Sequence, residues 1–216
     1  MFNSEAIRFV SHRKTVLLIL ILISVLIGND VYNINNIIRT YQSQNVPLLL
    51  NSGYLRTNQA NVSIVIWFEN RKIPRYLPKI LYKGNWEWNY KEKVTETGKT
   101  AITLFGQSQV NKNEERNLYI WYTMMVQLIS KLGGQIYLDE RIPENIDVFA
   151  YMSQMNACPE QAAIINNLAS IAAYQKSIVS SVKAGRDTVN LQLVSRREKF
   201  SEGQTVLAIP ALLEEF

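Results

Sequence analysis

The chain has 216 residues, 47% apolar and 19% charged, with a mean hydropathy of −0.07; this suits one folded domain with an appendage and excludes both a polytopic membrane protein and a disordered chain. Of 23 basic and 18 acidic side chains, three basic and two acidic fall in the first 30 residues, leaving a diffuse surplus of four beyond them rather than the Lys/Arg stripe of a nucleic-acid binder. The single cysteine, Cys158, excludes an internal disulfide framework.

Residues 15–27, TVLLILILISVLI, carry eleven aliphatic side chains interrupted only by Thr15 and Ser24, and the run His12, Arg13, Lys14 precedes them. Thirteen helical residues cover about 20 Å of a hydrocarbon core about 30 Å thick, so a spanning helix extends through Gly28 to Val31, Tyr32 and Ile34. The reading is a transmembrane signal anchor over 15–34. A cleaved signal peptide or a buried core helix is the alternative, and the A-x-A-like site a cleaved peptide needs is missing between Leu26 and Val31. Three basic groups before the span and Asp30 after it place residues 1–14 in the cytoplasm and send the rest across the membrane. In a bacterium these compartments are separated by the inner membrane, with the domain in the periplasm.

Residues 35–60 read as a stalk and lead-in, rich in Asn, Gln and Ser, with Pro47 followed by Leu48, Leu49 and Leu50; an exported domain then runs 61–216. Val62, Ile64, Ile66 and Phe68 alternate with Ser63, Val65 and Trp67, which predicts a central strand. Pro74 and Pro78 argue against regular structure around them. In NWEWNYKEKV, Trp86, Trp88 and Tyr90 share one face of a half-buried strand, with TAITLFGQ following after the turn ETGK.

The period changes over 113–132, where Leu118, Trp121, Met125, Leu128 and Leu132 form a helical stripe opened by Glu114 and Glu115 and closed by Lys131 and Gly133. Read as a dipole partner at the helix start, Glu115 should tolerate Glu115→Lys at a cost of roughly a few tenths of a kcal/mol. QIYLDE predicts a brief strand. Pro143 opens a short helix through Phe149 and Met152, and Pro159 opens a longer one with the stripe Ile164, Leu168, Ile171, Ile178 and Val182. Two closing strands follow, through Val189, Leu191 and Leu193 and through TVLAIP. The fold class expected is α+β: one N-terminal transmembrane helix, then a mainly antiparallel sheet packed by two or three helices.

The only histidine, His12, precedes the anchor, so the exported domain can build neither a Ser-His-Asp triad nor a Cys-His pair, and the usual zinc sites lose their commonest ligand. Cys158, at the start of a predicted helix, has no base beside it. GKT at 98–100 lacks the P-loop glycine five residues earlier, where Lys93 stands. Ser180 and Lys183 satisfy S-x-x-K without the S-D-N and K-T-G partners of penicillin-interacting enzymes. Asp139, Glu140 and Glu144 cluster near Arg141 and read as solvated loop acids.

No enzymatic activity and no cofactor or metal are therefore expected. The expectation is a single-pass membrane protein whose exported domain is a scaffold or assembly subunit of an envelope-spanning complex of the secretion or conjugation type. Its partners would be the membrane, other membrane or periplasmic proteins and further copies of the chain, without nucleic acid. The alternative is an anchored sensing or regulatory module with Trp86, Trp88 and Tyr90 as its ligand or partner surface. In layout alone the chain resembles the small inner-membrane subunits of conjugation and type IV secretion systems, which place a curved sheet flanked by helices in the periplasm.

Overall fold

A computed structural model describes residues 46–69, 76–81, 85–94, 98–196 and 203–213. The chain divides into two compact units, Met1–Asn45 and Val46–Phe216, and all described residues belong to the second. The anchor expected at 15–34 lies outside the described residues; among those described, no helix is long and apolar enough to cross a membrane.

The elements run β1 (Gln59–Glu69), α1 (Leu77–Ile80), β2 (Glu87–Val94), β3 (Thr100–Asn111), α2 (Lys112–Lys131), β4 (Gly134–Ile142), α3 (Val148–Gln154), β5 (Cys158–Ile165), β6 (Leu168–Tyr174), β7 (Val182–Ala184), β8 (Asp187–Val189), β9 (Leu191–Arg196) and β10 (Gln204–Ile209). Eight strands form one antiparallel sheet in the order β2-β3-β1-β4-β10-β9-β6-β5, and β7 and β8 form a separate ribbon. The domain is thus a mainly antiparallel α+β fold with three helices among the described residues.

One face of the sheet carries the core. Val62, Ile64, Ile66 and Phe68 of β1 lie in register with Leu138 and Ile136 of β4, and the row continues through Leu207 and Ile209 of β10, Leu193 of β9 and Ile171 of β6. All are buried. The period-2 pattern read in β1 is what makes this possible, since every second side chain meets the same layer. Helix α2 packs over β3 and β4, and α3 over β6 and β9. Helix α2 begins with a capping box: Asn111 Oδ1 accepts the amides of Asn113 and Glu114 at 2.9 and 3.2 Å, and the Glu114 carboxylate accepts the Asn111 amide at 2.9 Å.

The structure departs from several of the sequence expectations. The buried face of α2 comprises Glu115, Leu118, Tyr119, Tyr122, Thr123, Met125, Val126 and Ile129, so the stripe is rotated and Trp121, Leu128 and Leu132 are half-buried at its flank. Pro143 starts no helix; α3 begins at Val148, where Asp147 Oδ1 accepts the amides of Phe149 and Ala150 at 3.0 Å each. Pro78 sits in the first turn of α1 rather than excluding regular structure. The long helix expected from Pro159 is instead the hairpin β5–β6, joined by Asn166 and Asn167, with Asn166 in the left-handed region at φ 54°.

The lead-in from Val46 to Asn58 contains no strand or helix, yet Leu48, Leu49 and Leu50 are at most 1% exposed. Its backbone amides are taken up by carboxylates of the domain. Leu49 N–H donates to Glu140 Oε2 at 2.6 Å, Leu50 N–H to Glu115 Oε1 at 2.6 Å and Asn51 N–H to Glu115 Oε2 at 3.0 Å. Arg56 and Thr57 N–H donate to the two oxygens of Glu144 at 3.1 and 2.5 Å. These bonds substitute for the sheet pairing the segment lacks, because a buried amide must find an acceptor. The role assigned to Glu115 from sequence changes accordingly: it is fully buried, and a lysine there would lose several of these bonds and bury a second charge type among donors.

Candidate interaction surfaces

Of the predicted tryptophan row, Trp88 and Tyr90 lie on β2 and Trp86 immediately precedes it; Trp88 turns toward α2. Trp88 is paired with Gly106 of β3, and the absence of a Cβ there lets the indole lie flat on the strand: a Cβ at Gly106 would stand 2.8 Å from Trp88 ring atoms. Trp86 stacks on Trp88 at a centroid distance of 5.9 Å, and Trp88 meets Trp121 of α2 at 6.4 Å. Trp121 donates its indole N–H to the Ile80 carbonyl at 3.2 Å. Trp86 and Trp88 are thereby half-buried in a cluster, while Tyr90 is 56% exposed and donates its hydroxyl to Glu92 at 2.9 Å. That bond to a carboxylate raises the Tyr90 hydroxyl above the ordinary tyrosine range. Gly106→Val is expected to expel Trp88 and cost about 1 to 3 kcal/mol. Urea denaturation read by circular dichroism checks this, and unchanged stability with unchanged tryptophan emission would contradict the packing.

The opposite face of the same strands holds a groove of 460 Å³, lined by Asn61, Ser63, Glu87, Gln107, Gln109 and Arg141 with Phe105 beside them. Register places Asn61 between Gln109 and Arg141, and Gln107 between Ser63 and Glu87. These offer three planar amides, a hydroxyl, a carboxylate and a guanidinium, able to donate and accept around a polar ligand.

The third surface is the β5–β6 hairpin. Every residue of β5 is exposed, including Ile164 at 67% and Ile165 at 62%. The two edges of the sheet differ in chemistry. Edge strand β2 carries Glu87, Lys91, Glu92 and Lys93, the charges that discourage pairing by another chain. On β5, Pro159, Glu160 and a register shift between Pro159 and Gln161 protect the first half. There Gln161 also donates to Ala184 O at 2.9 Å and to Asp187 at 3.0 Å, tying the β7–β8 ribbon alongside. Ala162, Ala163, Ile164 and Ile165 carry none of these devices.

The other residues singled out from sequence do not converge. Asp139 and Glu140 are neighbours on β4 and point to opposite faces, both buried rather than solvated. Glu144 holds the lead-in at Arg56 and Thr57, as Glu140 holds it at Leu49. Ser180 Oγ lies 3.1 Å from the Tyr122 hydroxyl, and Lys183 donates to Thr188 Oγ1 at 2.6 Å, so the S-x-x-K pair serves two separate contacts. Cys158 is the exposed first residue of β5, with no helix beginning there. Among the described residues, no group of three or more His, Cys, Asp or Glu side chains could hold a metal. Sequence reasoning missed the hairpin edge; the pair Asn166-Asn167 between two short apolar runs was the signal for it. No protein-family model and no curated protein matches the chain.

Proposed function

We propose that this is a single-pass membrane protein, anchored by residues 15–34 with residues 1–14 in the cytoplasm, whose exported domain is a non-enzymatic scaffold or assembly subunit of an envelope complex. The observation that carries this reading is the unprotected apolar edge Ala162–Ile165. A sheet-edge strand that no further strand pairs among the described residues, and that exposes two isoleucines, is costly to leave open in a folded domain, and pairing with another protein resolves that cost. The layout of a short tail, one span and a larger exported domain agrees with such a subunit.

Photo-crosslinking tests the assignment of the edge. A benzophenone amino acid at Ile164 or Ile165 is expected to capture a discrete protein partner in native membranes, while the same probe at exposed Gln127 of α2 captures none. Equal labelling from both elements would sink the reading. The groove lined by Asn61, Gln107, Gln109 and Arg141 favours a second reading, in which the domain binds a small polar ligand. A thermal shift with a panel of such ligands, abolished by Arg141→Ala, would favour it over the first.

A further inference from the structure

Glu115 of α2 and Glu140 of β4 are both fully buried and grip adjacent residues of one unpaired segment. Their donors are unequally shared. Glu115 accepts from the amides of Leu50 and Asn51 and from the Asn51 side chain, using both oxygens. Glu140 accepts one amide, that of Leu49, on Oε2, and its Oε1 has no donor. A side-chain hydrogen bond links Glu140 to Glu115, and a proton on Glu140 supplies its donor.

Burial first, and then the Glu115 charge, hold the Glu140 carboxyl well above its ordinary value of 4.5. The amides of Leu49 and Leu50 oppose this more weakly, and none of the groups acting on Glu140 is a cation. Among the described residues, Tyr151 of α3 faces the pair and Tyr119 of α2 acts on Tyr151 in turn; the buried Tyr151 hydroxyl has no hydrogen-bond partner and feels both carboxyls. The cross-strand neighbours of Glu140 are Val62 of β1 and Leu207 of β10, which offer no charge.

We infer that Glu115 and Glu140 form a proton-operated clasp: with one proton between them they hold residues 49–51 against the domain, and loss of that proton releases the segment that leads to residues 1–45. Two carboxylates without a proton cannot stay buried together. The cheapest relief is to let water reach them, and the lead-in is the packed neighbour that no strand pairing holds. For a carboxyl whose folded value is raised, the stabilising contribution is complete below 4.5 and is lost as pH rises through the raised value. The clasp is closed on the acid side and opens on the alkaline side.

Hydrogen exchange on the full chain in dodecylmaltoside micelles, titrated from about pH 5 to about pH 9, reads the clasp directly. Protection factors, which divide out the intrinsic pH dependence of exchange, are expected to fall at least tenfold at Leu49, Leu50 and Asn51 while those of β1 and β4 hold. Glu140→Gln is expected to remove the fall, since its amide donates to Glu115 as the acid does and its oxygen still accepts Leu49 N–H. Protection at Leu49–Asn51 that stays constant with pH in the wild type, or falls equally in Glu140→Gln, would overturn the inference. Carbon-13 titration of the Glu140 carboxyl in the wild type decides the matter if the variant does not fold: titration in step with release supports the clasp, and a carboxyl already ionised at pH 5 refutes it.

Discussion

Glu115→Ala is expected to lower the stability of the domain by about 3 to 5 kcal/mol, the range for breaking a buried charged contact. The substitution removes both acceptor oxygens at once. The Leu50 amide, on a residue 1% exposed, is left without a partner, and the Asn51 amide and side chain lose theirs. Each charge-assisted bond contributes about 1.5 to 3 kcal/mol and each buried orphan costs about 1 to 3. Glu114→Ala, one residue earlier, removes only the reciprocal half of the capping box and is expected to cost about 1 kcal/mol. Urea denaturation of both variants at acid pH, where the Glu140 proton is in place, makes the comparison. Equal costs for the two would show that the lead-in is not held by Glu115.

Tyr122→Ala is the second large effect, expected at about 3 to 5 kcal/mol. The ring fills the space between α2 and the sheet with 2% exposure. Its hydroxyl lies 3.1 Å from the Ile209 carbonyl of β10, 3.3 Å from the Ile136 carbonyl of β4 and 3.1 Å from Ser180 Oγ. Desolvation raises the hydroxyl far above the ordinary tyrosine range, so it stays neutral and can donate throughout the physiological range. Tyr122→Phe keeps the volume and loses only this network, at about 1 to 2 kcal/mol. A Phe variant as costly as the Ala variant would move the weight from packing to the hydroxyl.

What the sequence made legible was the part governed by short-range rules. The alternation in β1 placed it inside the sheet, and the acidic start and glycine end of α2 bounded it within a residue or two. The stripe on α2 was misphased because Glu115 and Tyr122 are polar by composition and buried by partnership, and those partners lie 65 and 87 residues away in sequence. The error over residues 159–182 has a different cause. Ile164, Leu168 and Ile171 recur at helical spacing by coincidence, and alanine suits a helix, so a period count favours the wrong element. The local turn chemistry of Asn166-Asn167 outranked it. Among the candidate surface residues, Trp88 and Tyr90 lie on β2 and Trp86 stacks on Trp88 ahead of the strand, but the Gly106 gap and Trp121 that draw the tryptophans inward belong to other elements.

The proposed assembly of the domain with other envelope proteins through the β5 edge can be checked by affinity purification of the full chain from its host membranes in mild detergent, beside an Ile164→Lys, Ile165→Lys double variant. Both positions are exposed, so the substitutions should change stability by no more than about 0.5 kcal/mol. Stoichiometric membrane partners are expected with the wild type, and their loss from the folded variant. A wild-type chain that elutes alone as a monomer, or partners retained equally by the variant, would contradict it.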